Sequence, residues 1–455
     1  MIAIIGAGIS GLAAAHELAR RGVAFTVLES SARPGGLILT EQHEGFTIDA
    51  GADSMLASKP AARTLCEEVG LTPRLQTMSE PRSAYVLAGE RLFPLPAPSV
   101  LGLPLTAAAA ARFTLLPPHA RLRVIMERFV PAGTGADESI ASFFGRRFGR
   151  STVELVAQPL LGGIHAGDAR VLSTKSLFPN LLDAEAAGGV LRTLRHRSSP
   201  EGGAFNGLAG GMDTLPAAIV RSLPRDSVRY GSDVRTLTRA QDGWLVDAAS
   251  GPTRAAAVIV AAPMPAAARL LTTVAPEAAS LCAAIPHASS VSVALAWPRG
   301  AIAHPLRGSG FVVARAPAGF RVTACTWISS KWEGRAPAGH ALLRAFVGGA
   351  RDPDAIDLPD GDLLAIATRD LGRVLGIRTP PEFARVYRWR DASPQLTVGH
   401  DARVRRIGEL LAHYQGLFVT GRGLRAVGIP DCISDARSTA AAAADSLRSL
   451  ECDSR

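Results

Sequence analysis

Three glycines near the start of the chain, Gly6, Gly8 and Gly11, stand in G-x-G-x-x-G order, with Ile9 and Ser10 between the last two. Residues of this type at this spacing suit a backbone that must approach a pyrophosphate. Gly6 allows a tight turn, Gly8 leaves room for the phosphates, and Gly11 lets a helix touch a strand. Glu29, followed by Ser30, stands where a second strand ends, the place from which a carboxylate accepts hydrogen bonds from adenosine ribose hydroxyls. The chemistry indicated is the holding of a dinucleotide. No Ser/His/Asp order, Glu-x-x-His pair or metal-ligand spacing stands out, so no catalytic side chain and no metal are expected.

The elements that must position these residues are legible in the same stretch. Ile2, Ile4 and Ile5 form a short β-branched run suited to a buried parallel strand. A helix is predicted from about Ser10, with Leu12, Ala15 and Leu18 on one face, ending at Gly22; Phe25, Val27 and Leu28 then resume a strand. The helix N-terminus would aim free N–H groups at the phosphates. A glycine-rich turn with no ligand shares the bare motif; the flanking strands, the helix and the acid separate the two cases.

The 455 residues exceed what one core supports, so more than one domain is expected. A hydrophobic content of 47% against 20% charged residues is that of a globular chain and excludes a largely disordered one. The five cysteines are scattered with no C-x-x-C spacing, which argues against a disulfide framework and for a reducing compartment. Net charge is +9, and only Lys59, Lys175 and Lys331 among the 49 basic residues are lysines. An arginine excess suits carboxylate or phosphate partners. Nucleic acid is not expected, because the Arg192/Arg195/Arg197 and Arg403/Arg405/Arg406 clusters lack interleaved aromatics. The uncharged stretch 92–111 is broken by Pro94, Pro96, Pro98 and Pro104, which excludes a spanning helix there.

Later segments carry a resemblance. Arg33-Pro34-Gly35-Gly36 resembles the R-x-G-G segment of the large flavoprotein family that includes amine oxidases, phytoene desaturases and protoporphyrinogen oxidases. In that family Arg33 and Gly36 would line the diphosphate and flavin side, while Leu37 stands where a second arginine is often found. The stretches GFTIDAGADSMLASKPAARTLCEEVGL (45–71), ESIASFFGRRFGRSTVELVAQPLLGGIHAGDARVLS (138–173, with its Pro-Leu-x-x-Gly-Ile-x-Ala-Gly-Asp run) and GLFVTGRGLRAVGIPDCI (416–433) resemble, in order, segments of the bacterial, HemY-type porphyrinogen oxidases. Ala52 and Ala426 replace the Pro and Gly usual there. The resemblance implies FAD as cofactor, with Gly51, Ala52, Asp53 and Ser54 passing close to the flavin. It also implies that Val234 touches the adenine, that Trp389 stands near the ring, and that Gly421, Val427, Gly428 and Ile429 face the flavin's polar edge. On the substrate side it implies Arg82 pairing with a propionate and Gly163 and Ile164 beside the macrocycle. For Val234 an ordinary strand valine, for Trp389 sheet packing, for Arg33 and Arg82 a solvated loop, and for His165 a structural role fit the residues as well.

Together these readings predict an α/β fold. A discontinuous Rossmann-like FAD-binding domain is expected over 1–72, 205–265 and 408–455, and a mixed α/β substrate domain over 73–95, 176–204 and 266–407. An inserted helical, membrane-facing domain is expected over 96–175, with helical runs at 120–129 and 139–148. The runs 291–297, 321–327 and 342–347 alternate as an antiparallel sheet would, and Asp242-Gly243 marks a hairpin. The resemblance implies oxidation of protoporphyrinogen IX in three flavin cycles with oxygen as acceptor, coproporphyrinogen III being the alternative substrate and another flavin desaturase or amine oxidase the remoter one. A cytoplasmic location with peripheral contact at the inner face of the cell membrane is expected, and no reading of oligomeric state emerges.

Overall fold

The computed structural model describes residues 1–197 and 204–453. The end of the 176–204 expectation and the last two residues of 408–455 lie outside these. The short β-branched runs form strands β1 (Ile2–Ile5) and β2 (Phe25–Leu28), joined by helix α1 (Ile9–Arg20). With β3 (Val228–Arg229), β4 (Ala257–Val260) and β5 (Leu417–Val419) they make one parallel sheet in the order β3-β2-β1-β4-β5. Both faces of this sheet are buried. Ile2, Ile4, Val27 and Ile259 face one core, and Ala3, Ile5, Val258 and Val260 face the other. Near-continuous apolar strands are what a doubly covered parallel sheet requires.

The first face is covered by α1 and by helix α2 (Ile429–Asp453), which begins directly after Gly428. Small residues line their contact: Ala13, Ala14 and Ala15 on α1 and Ala436, Ala440, Ala443 and Ala444 on α2 are fully buried. The second face is covered by the three-stranded antiparallel sheet of Val234–Ala240, Gly243–Ala248 and Thr253–Ala255; its first hairpin turns at Gln241-Asp242, one residue before the expected Asp242-Gly243, because Gly243 already pairs with Ala240.

A seven-stranded sheet forms the opposite half. Its order is Phe383–Pro394, His287–Pro298, His340–Gly348, Val322–Trp327, Gly310–Arg315, Tyr85–Ala88 and Arg91–Pro94. Only the Gly310–Arg315/Tyr85–Ala88 pair is parallel. A separate apolar core gathers the helical region, from Leu103 through Phe143, Phe144 and Phe148 to Leu194, so helical packing runs on past residue 175. Among the described residues no helix is long and apolar enough to cross a membrane.

Candidate functional site

At the end of β1 the three glycines do different physical work. Gly6 has φ +102°, a conformation glycine tolerates best, and a Cβ at Gly11 would overlap the Gly6 carbonyl oxygen. A Cβ at Gly8 would meet nothing within 4 Å. Gly8 is the N-cap of α1, has extended φ/ψ, and no side chain caps the helix. No acidic residue stands in the first turn, so the partial positive charge of this end is uncompensated beside open space. Those two features fit a diphosphate.

The rim of this groove comes from distant segments. Gly36, at φ +57°, lies against it, since a Cβ there would reach Gly8 Cα at 3.3 Å. Gly421 sits near Ser10: a Cβ on it would be 3.8 Å from Ser10 Oγ. Arg33 is not a solvated loop arginine. Its guanidinium donates to the carbonyls of Pro34, Gly36 and Ile38 at 3.1, 2.7 and 3.0 Å and so shapes the loop from within. Glu29 is buried at the end of β2; Oε2 accepts from Ala7 N at 2.6 Å and Oε1 from Ser31 N and Oγ at 2.9 and 2.7 Å. A carboxylate offers about four acceptor positions, which leaves room for a ribose hydroxyl. Ser30 is exposed beside it, and Ser232 N donates to the Glu29 carbonyl at 2.8 Å, bringing the start of the Val234 strand to the same end.

Gly51, Ala52, Asp53 and Ser54 form a second group. A Cβ at Gly51 would overlap the Leu37 carbonyl oxygen and lie 3.5 Å from Trp389 Cη2, so Leu37, Gly51 and Trp389 are in contact. Trp389 Nε1 donates to Ser292 Oγ at 3.2 Å, and that hydroxyl donates to Ala50 O at 2.9 Å. Asp53 is buried with Lys331, whose Nζ reaches both carboxylate oxygens at 3.1 Å and Ser54 Oγ at 3.3 Å. Arg344 completes the cluster, its Nη2 3.2 Å from Asp53 and its Nη1 on the carbonyls of Asp49 and Gly51. Burial disfavours the Asp53 charge, yet Lys331 and Arg344 outweigh it and hold the carboxyl well below the usual carboxylate range. Asp49, paired with buried Arg335 at 3.0 Å, is instead pushed up by burial.

In the tail, Gly428 O accepts from Cys432 N at 2.9 Å, placing Val427, Gly428 and Ile429 at the N-terminus of α2 as expected. The residues expected on the substrate side are less gathered. Arg82 is exposed, paired with Glu80 at 3.1 Å and bonded to Met78 O. Gly163 and Ile164 are exposed, Ile164 at 65%, and no hydrogen bond or ion pair joins them to Arg82 among the described residues. The segment behind them is fixed to the strand that carries Trp389, since Gln395 Nε2 donates to His165 O at 2.9 Å. His165 itself is buried against Phe178, and burial with the Arg422 charge lowers it to about 4.

Sequence reasoning passed over Lys331, Arg344, Ser292, Asp49 and Arg335. Lys331 could have been noticed as one of three lysines, and Arg344 as a charge inside the apolar run 341–347.

The chain belongs to the flavin containing amine oxidoreductase family, whose profile matches residues 9–444. It is an FAD-dependent oxidoreductase. Within that class it is 36% identical to coproporphyrinogen III oxidase of Bacillus subtilis, over 99% of this chain and 98% of that one. It is 31% identical to the coproporphyrinogen III oxidase of Staphylococcus aureus, over 96% and 98%. Among solved structures, a protein from Exiguobacterium sp. 255-15 provisionally named protoporphyrinogen oxidase superposes with TM-score 0.85 at 29% identity, covering 98% of each chain.

Proposed function

We propose that this chain oxidises a porphyrinogen to the planar porphyrin, and that the substrate is coproporphyrinogen III. The observation that carries this is the 36% identity over nearly the whole of both chains to a relative bearing that name. The basic excess, 49 Lys and Arg against 40 Asp and Glu, suits the more acidic of the two candidate substrates. Protoporphyrinogen IX, expected from the sequence, remains the second reading, favoured by the 25% identical protoporphyrinogen oxidase of Arabidopsis thaliana.

FAD, when bound, takes up the hydride equivalents. The chain's part is binding and exclusion. The Gly8 groove and the N-terminus of α1 hold the diphosphate, Glu29 and the start of the Val234 strand hold the adenosine end, and the 51–54 segment, Trp389 and the start of α2 border the ring. Arg82, Gly163 and Ile164 take the substrate; with oxygen as acceptor, three two-electron rounds would complete the porphyrin. Purified protein with FAD, given each porphyrinogen at matched concentration, should form fluorescent porphyrin faster from coproporphyrinogen III. No acceleration over air oxidation rejects the activity; faster turnover of protoporphyrinogen IX rejects the substrate.

Peripheral contact with an anionic membrane belongs to the same reading. Leu122, Ile125, Met126 and Phe129 recur at helical spacing and are 57, 40, 45 and 65% exposed. Arg121, Arg123 and Arg128 interleave with them, and the only acid of this stretch, Glu127, is buried. An apolar stripe among cations matches an anionic headgroup layer. Co-sedimentation with phosphatidylglycerol vesicles, lost in Phe129→Ser and absent with phosphatidylcholine, is expected; vesicle-independent dimerisation would give the stripe to a second copy instead.

A further inference from the structure

Arg422 stands one residue after Gly421, the glycine nearest to Ser10 on the rim of the groove. It is half-buried, and its one hydrogen bond goes from Nη1 to the carbonyl of Ala392. A guanidinium has five N–H donors. Among the described residues no carboxylate lies within 4.0 Å of it. Its neighbours differ in this respect: Arg425 is paired with Asp435, and Arg437 with Glu68. An arginine drawn away from water without a counter-charge is costly unless a ligand supplies the anion.

The position of Arg422 on the rim and the charges already committed in the groove indicate where the anion lies. The backbone just before Arg422 stands at the first turn of α1, since a Cβ on Gly421 would be 3.8 Å from Ser10 Oγ. The other groove cation, Arg33, commits its guanidinium to the carbonyls of Pro34, Gly36 and Ile38. Leu37 offers the groove no charge. His165 and His287 also feel the Arg422 charge, which adds to burial in holding both below the ordinary histidine value, so neither supplies an anion.

We infer that Arg422 is a cofactor-binding residue whose guanidinium pairs with the FAD diphosphate across the Gly8 groove. The inference rests on FAD as cofactor and is independent of which porphyrinogen is oxidised. Uncompensated, the cation is a docking point; compensated by the phosphates, it closes the groove from the side opposite Gly36.

The test is flavin affinity. FAD is stripped from the holoprotein and titrated back with fluorescence detection, alongside riboflavin, which has the ring but no phosphate. Arg422→Met should weaken FAD by about tenfold to a hundredfold, as expected for a charge-assisted hydrogen bond, and leave riboflavin unchanged. Arg422→Lys should fall between. Arg422→Gln, which keeps a donor for Ala392, should match Met and covers the case in which Met does not fold. Unchanged FAD affinity overturns the inference. So does equal weakening of FAD and riboflavin, which marks a damaged pocket, and so does a raised KM for porphyrinogen with FAD affinity intact, which gives the anion to a substrate carboxylate. Wild-type turnover of porphyrinogen reports separately on the proposed function.

Discussion

Around Gly6, Gly8 and Gly11 the chain keeps side chains out, while around Asp53 it crowds them in. The first region is made by backbone: a carbonyl against Gly11, open space over Gly8, a helix end with no cap. The second is made by ionised side chains from far apart in sequence, Asp53 with Lys331 and Arg344, with Arg344 also holding the carbonyls of Asp49 and Gly51. The contrast teaches where tolerance lies. A backbone-built site fails through added volume, whereas an ion-built site fails through lost charge.

The largest effect should separate two glycines of one motif. Gly11→Val drives a side chain into the Gly6 carbonyl and should cost about 3 kcal/mol or more in urea unfolding. Gly8→Val has free space and an extended backbone, so apoprotein stability should change by less than about 0.5 kcal/mol while FAD no longer binds. Equal destabilisation by the two would dissolve the distinction between packing and ligand glycines.

Charge removal comes next. Lys331→Met leaves buried Asp53 with Arg344 alone and should cost about 3 kcal/mol, as broken buried pairs do. Adding Asp53→Asn should restore much of the loss in a double-mutant cycle. If the double variant is as unstable as the sum of the singles, the cluster is not a coupled ion unit.

The third prediction concerns pH. His165 is held neutral by burial and by Arg422, with its pKa lowered from 6.5 to about 4. Between those values the unfolded chain binds a proton that the folded one refuses. Stability should therefore fall as pH drops from about 6.5 to about 4, by about 3 kcal/mol from this residue. Above pH 7 the contribution is fully present. Urea midpoints of wild type and His165→Gln across this window check it; parallel pH slopes would contradict the burial account. Smallest, Ser292→Ala removes the hydroxyl shared by Trp389 and Ala50, with an expected loss of about 1 kcal/mol and a shifted tryptophan emission.

The legibility of the sequence follows the same division. The β1–α1–β2 unit was readable because its determinants are local, a β-branched run, a glycine spacing and an apolar helical face within one short stretch. The hairpin, within one residue of Asp242-Gly243, and the alternating strands 291–297 and 342–347 were readable for the same reason. The Asp53 cluster was not, because partners 278 residues apart leave no periodic trace. Arg33 shows the limit at a single residue: its type suggested a solvated loop or a ligand contact, and only the folded loop reveals three carbonyls around it.

The order of the parallel sheet carries one more consequence. β1 has β2 on one side and β4 on the other, and β5, beyond β4, leads through Gly421 into α2. The groove at the end of β1 therefore depends on segments far apart in the chain, since Gly421 and α2 wall it only once β5 has joined the sheet. Cofactor capture thus follows the pairing of β5 with β4, and chains truncated before β5 should be colourless.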